Sequence, residues 1–117
     1  MKRQLAYVTA PWDTYGKEKT KRAASYCRKL YEAGYTPICP LLSLNTFIND
    51  RIPAEHKDGI DMSHDLLSRA NVLVICDSTL DETVKNDIAL AKRKQKTATT
   101  LDGILAVEFL GQCPMED

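Results

Sequence analysis

The sequence predicts an α/β domain: one mainly parallel sheet with helices against both faces. Three observations lead there. Short β-rich runs alternate with longer amphipathic stretches along the chain, the pattern that βαβ crossovers leave. One run, NVLVICD at 71–77, is apolar almost throughout, as a parallel strand covered on both faces must be. The chain has 117 residues and no repeat, linker or low-complexity segment. That is the size of a single domain, here 1–117, with a core of its own.

Taken in order, QLAYVTAP at 4–11 is β-rich and stops at Pro11, which reads as a first buried strand. In the following DTYGKEKTKRAASYCRKLYEAGY, residues Ala23, Cys27, Leu30 and Tyr31 recur at helical spacing. Gly34 ends that helix, as a C-terminal glycine does. YTPICP at 35–40 is a short second strand closed by Pro40. LLSLNTFINDRIP mixes polarity without a period and is expected to be an excursion with a loop. Pro53 suits the first turn of a helix running to about Ser68, with Ile60, Leu67 and Ala70 on its apolar side. After the strand at 71–77 comes a helix from about Thr83 to Arg93. Val84, Ile88 and Ala91 share one side of it, and Lys92, Arg93 and Lys94 suit its C-terminus. KTATTL at 96–101 reads as a last strand and GILAVEFLG as a short last helix.

Composition narrows the function classes. Lys plus Arg and Asp plus Glu both number 16, so no net field draws the protein to nucleic acid or to an anionic membrane. The basic stretch KEKTKR has no interleaved aromatics for base stacking and reads as a solvated helix face. No stretch is long and apolar enough for a membrane span, and the N-terminal apolar run is too short for a signal peptide. Cys27, Cys39, Cys76 and Cys113 lack CxxC spacing and read as reduced thiols of a cytoplasmic protein. His56 and His64 stand eight apart with no further ligand at metal-binding spacing, so no metal and no cofactor are expected.

In open parallel sheets, ligands bind beyond the carboxyl ends of the strands. Here those ends are Thr9, Ala10, Pro11 and Trp12; then CPLL with Pro40; then DSTLD, from Asp77 to Asp81. The helix starting near Thr83 points unpaired N–H groups at the same rim. Asp81 has the position of an N-cap, and Asp77 of a strand end. Asp87, six residues beyond Asp81, lies a full turn inside the helix, where capping does not account for an acid.

These segments carry a resemblance. AYVTAPW resembles the first-strand signature of the nucleoside 2-deoxyribosyltransferase-like superfamily: a tyrosine, small residues, then proline and an aromatic. RANVLVICDSTLDETVKNDIALAKR resembles its second, a buried strand, an Asp, and a helix bearing an acid six residues later. EAGYTPICPLLSLNTFIND and HDLLSRAN are similar to segments of small phage and bacterial proteins with this fold. The resemblance implies a flavodoxin/Rossmann-like three-layer fold with a four- to five-stranded, mainly parallel sheet. It also implies a nucleoside, nucleotide or related sugar-nucleotide ligand. In those enzymes a glutamate attacks the anomeric carbon, an Asp handles the base, and the tyrosine orients the nucleophile. Carried over, Asp87 is the nucleophile, Asp81 the base-handling acid and Tyr7 the orienting residue. Thr9, Ala10, Pro11, Trp12, Pro40, Asp77 and Thr83 are ligand-binding. The superfamily completes its sites across a dimer, which implies a homo-oligomer, cytoplasmic in a bacterial cell or a phage-infected host.

The pattern also departs from the family's. Asp87 is one methylene shorter than the usual glutamate, Thr83 and Val84 replace a glycine and a small residue, and Asn71 stands where an Asp is common. A methylene is of the order that near-attack geometry feels, about 1 Å. Two expectations therefore stand beside the N-glycosidic enzyme: a nucleotide binder without turnover, such as a sequestering protein, and an interaction module whose acids only cap helices.

Overall fold

In the computed structural model the described residues are 3–9, 17–76 and 81–106, with no side-chain description for 17–19 and 45. They form the expected α/β architecture. Four strands, β1 (Leu5–Thr9), β2 (Thr36–Ile38), β3 (Val72–Ile75) and β4 (Thr97–Thr100), make one sheet. Its order is β2-β1-β3-β4 and every pairing is parallel. Helices α1 (Lys17–Glu32), α2 (Pro40–Ser43), α3 (Pro53–Arg69) and α4 (Glu82–Arg93) connect the strands.

Strand alternation divides the core in two. Ala6, Val8, Val72 and Val74 face a layer that holds Ala23 and Leu30 of α1 and Leu41 of α2. Tyr7 and Leu73 face the other way, onto Leu67 of α3 and Leu90 and Ala91 of α4. The sheet is thus sandwiched as a flavodoxin/Rossmann-like fold requires. β4 is the exposed edge: of its residues only Thr99 is half-buried. The chain turns helical at 101–106, earlier than the glycine at 103 suggested. Thr100 caps that turn, its Oγ1 accepting from the Gly103 N–H at 3.0 Å.

Local signals set the boundaries. Gly34, at φ 99°, closes α1. The Tyr35 N–H donates to the Leu30 carbonyl and the Gly34 N–H to that of Tyr31, the paired bonds of a Schellman cap. Gln95, at φ 58°, does the same for α4 without a glycine. The aperiodic stretch after β2 is helical where a loop was expected: α2 starts on Pro40, and a 3-10 turn follows at Leu44–Thr46. Proline at a first helical position needs no N–H partner, which is why Pro40 opens an element as well as closing one.

Two expected core contacts are corrected. Tyr31 is half-exposed, with the guanidinium groups of Arg3 and Arg28 each 5.1 Å from its ring centre. Its position next to Leu30 puts it at the margin of the buried stripe, where an amphipathic ring can keep one face wet. Ile60 is also exposed. The buried line of α3 is Gly59, Ser63 and Leu67, a four-residue repeat of small, polar and apolar residues. Apolarity alone picks the wrong side of the first two turns.

Candidate functional site

The order β2-β1-β3-β4 places the switch in chain direction between β1 and β3. At such a switch point the loops above the strand ends diverge and leave a crevice. Thr9 is the last residue of β1, paired with Ile75 at the end of β3. Above them comes α4, and its inward face carries Asp87.

Asp87 is a buried carboxylate, 3 % exposed. The Thr9 hydroxyl, equally buried, donates to its Oδ2 at 2.8 Å. The Tyr7 phenol, two residues back on the same face of β1, interacts with Asp87 and with the Ser63 hydroxyl on α3. Ser63 in turn donates to the Gly59 carbonyl at 2.8 Å. Residues 7, 9, 63 and 87 thus form one buried polar group drawn from a strand and two helices.

Burial pushes the Asp87 pKa above the ordinary carboxylate value, because a charge is costly in a poorly solvated site. The Thr9 hydrogen bond, the nearby His64 and the Tyr7 hydroxyl oppose that rise, and the charge of Asp81 adds to it. Burial raises the Tyr7 pKa strongly and the Asp87 carboxylate raises it further, so the phenol keeps its proton at any physiological pH.

Between α3 and α4 lies a cavity of about 70 Å³, walled by Gly59, Ile60, Ser63, His64, Thr83 and Asn86. It is large enough for one or two waters or a single polar substituent, at about 30 Å³ per water. Thr83 is one of the residues that wall the cavity. Asp81 is the N-cap of α4: its Oδ1 accepts from the Val84 N–H at 3.0 Å. Pro40 is buried at the start of α2, beyond the end of β2, with the α1-side core. Asn71 lies at the opposite, amino end of the sheet. Its side chain accepts from the Leu5 N–H at 2.7 Å and its own N–H donates to the Leu5 carbonyl at 2.8 Å. The Asn at that position therefore joins two strands, far from the acids. Ala10, Pro11, Trp12 and Asp77 lie outside the described residues.

Sequence does not single out Ser63, and it presents His64 only as a histidine without partners at metal-ligand spacing. The signal was present: Gly59 and Ser63 occupy the positions of α3 where an amphipathic helix should present large apolar residues. A small and a hydroxylic residue on a buried stripe leave room and polarity for something else.

Residues 4–101 match a family described as a domain of unknown function, DUF7768. The chain belongs to that family. A comparison of this DUF7768 domain with curated proteins finds no relative. Among the described residues, no group of three or more His, Cys, Asp or Glu side chains could hold a metal ion. No helix there is long and apolar enough to cross a membrane.

Proposed function

We propose that this DUF7768 domain binds a nucleoside or nucleotide at the carboxyl end of its sheet and that Asp87 acts on the sugar's anomeric carbon. The observation that carries the reading is the buried Asp87 carboxylate, held by Thr9 and Tyr7 at the switch point, with Tyr7 reaching Ser63 in the wall of the α3–α4 cavity. A buried charge that serves only packing would be replaced by an apolar side chain at little cost. A carboxylate with a raised pKa beside a cavity suits a chemical task.

The step is a displacement. An ionised Asp87 oxygen bonds to the anomeric carbon as the carbon–nitrogen bond breaks. The base leaves with that electron pair and takes a proton from water, with Asp81 as the residue that handles the base. Water then releases the sugar, or a second base takes it up. Tyr7, always protonated, and Thr9 fix the carboxylate. The cavity seats one polar substituent of the sugar, and the rest of the ligand lies outside it. No metal or cofactor takes part. The domain would act in the cytoplasm of a bacterial cell or a phage-infected host. Self-association is supported by the exposed apolar side chains Phe47, Ile52 and Ile60, the last of which also borders the cavity.

A second reading is a binder without turnover. It is favoured by the 3 % exposure of Asp87 and by the use of Asp81 as a cap. Incubation with a panel of nucleosides and nucleotides separates the two. Release of free base that Asp87→Ala abolishes supports the enzyme. A retained, unchanged ligand supports the binder. Neither turnover nor binding across the panel removes both.

A further inference from the structure

The sheet has two edges, and they are built differently. β2, at one edge, is three residues long with Pro37 at its centre. A proline offers no N–H to a further strand, so that edge is guarded. β4, at the other edge, pairs with β3 along one side over all four of its residues. Among the described residues no strand lies along its outer side. Its sequence, Thr-Ala-Thr-Thr, carries none of the usual guards: no charge, no proline, and an unbroken register with β3. Thr97, Ala98 and Thr100 are exposed, so the outer N–H and C=O groups are open to another strand. Threonine is also a residue that strand pairs favour.

We propose that β4 is a self-association edge: it pairs antiparallel with β4 of a second copy of this chain, about a two-fold axis at Ala98, joining the two four-stranded sheets into one. Along a strand, alternate residues turn their backbone groups to the same side. Antiparallel partners are either both turned toward each other or both turned away. A strand that meets its own copy therefore has its axis through a residue and not between two. The strand with the residue before it, 96–100, lies between the turn at 94–95 and the helix at 101–106, and its middle is Ala98.

That register is self-complementary. Thr97 stands opposite Thr99 of the second copy, a cross-strand pair of the kind that stabilises sheets. Ala98 meets Ala98, the smallest side chain of the strand at the point of closest approach. Exposed Lys94 of one copy comes to the end where exposed Asp102 of the other follows its strand, and the same match recurs at the opposite end. A two-fold contact closes at two copies, and the outer edges of the joined sheet are then the two β2 strands with Pro37. The contact uses none of Phe47, Ile52 and Ile60, and it stands independently of the chemistry assigned to Asp87.

The test is sedimentation equilibrium of the full chain. Wild type should reach twice the chain mass as concentration rises, with one dissociation constant. Ala98→Lys sets two like charges face to face across the axis and should raise that constant about fivefold, as should Ala98→Glu. Ala98 is exposed, so circular dichroism of both variants should match wild type. An equimolar mixture of the two variants should form a dimer with one of each, tighter than either variant alone, because only this register brings position 98 to its own counterpart. Amide exchange of wild type gives a reading that needs no variant: amides of 97–100 should exchange more slowly in concentrated than in dilute protein. A wild-type chain that stays monomeric would overturn the proposal. So would a dimer that both variants form as well as wild type, a loss that mixing does not restore, or exchange at 97–100 that ignores concentration.

Discussion

Replacing Thr9 with valine isolates the hydrogen bond on which the site depends. The two side chains have nearly the same shape, and both Thr9 and Asp87 are buried, so the change removes one donor and little packing. What it costs depends on the charge of the acceptor. Against an ionised Asp87 the lost bond is worth about 1.5–3 kcal/mol, and against a protonated one about 0.5–1.5 kcal/mol. At about 4 °C per kcal/mol for a domain near this size, Tm should fall by about 6–12 °C in the first case and about 2–6 °C in the second. The 2.8 Å bond is one of the forces holding the Asp87 pKa down, so Thr9→Val should also raise that pKa further. The assay is thermal unfolding of wild type and variant at neutral and at acid pH, repeated on the Asp87→Asn background. Coupling between the two sites should be largest at neutral pH. An equal loss at both pH values, or effects that simply add, would mean that the hydroxyl does not support a charged Asp87.

Other outcomes follow from the same network. Asp87 has a pKa above its ordinary 3.8, so between that value and the raised one the folded state holds a proton that the unfolded chain has released. Its contribution to stability is complete below about that value and is lost as pH rises through the raised pKa. Asp87→Asn should therefore unfold at a higher temperature than wild type at neutral pH, while losing turnover; denaturant titrations at both pH extremes check this. His64→Ala removes a neighbour that lowers the Asp87 pKa, so the acid limb of the pH–rate profile should move to higher pH. Asp81→Ala should cost about 1 kcal/mol from the lost cap, measured by urea unfolding. It should also lower the Asp87 pKa and change the preference among bases, an effect that a cap alone would not produce.

Much of the fold could be read from the sequence because the signals were local. The run VLVIC marks a doubly covered strand, Gly34 a helix end, and Pro53 a helix start, and each element lies within a few residues of where its signal put it. The segment after Pro40 was read as a loop because helices of one turn are too short to show a period. Tyr31 and Ile60 were assigned to the core because periodicity finds apolar residues, whereas shape decides which are buried. The site divides along the same line. Asp87 could be singled out because an acid inside a helix has no local purpose. Its partners, Thr9 and Ser63, could not be assigned as such, because their pairing crosses from residue 9 to 87 and from 7 to 63 and exists only once β1 lies beneath α3 and α4. Asn71 shows the converse: a residue that looks like part of the acid pattern belongs to the joint between β1 and β3.

The central claim is that Asp87 bonds to sugar carbon. Mass spectrometry of the protein, quenched during incubation with the nucleoside and nucleotide panel, tests it most directly. The account predicts a pentosyl or pentosyl-phosphate adduct within residues 82–93, localised to Asp87, that appears together with free base and is absent from Asp87→Ala. Free base released at an undiminished rate by Asp87→Ala, or an adduct carried on another residue, would contradict it.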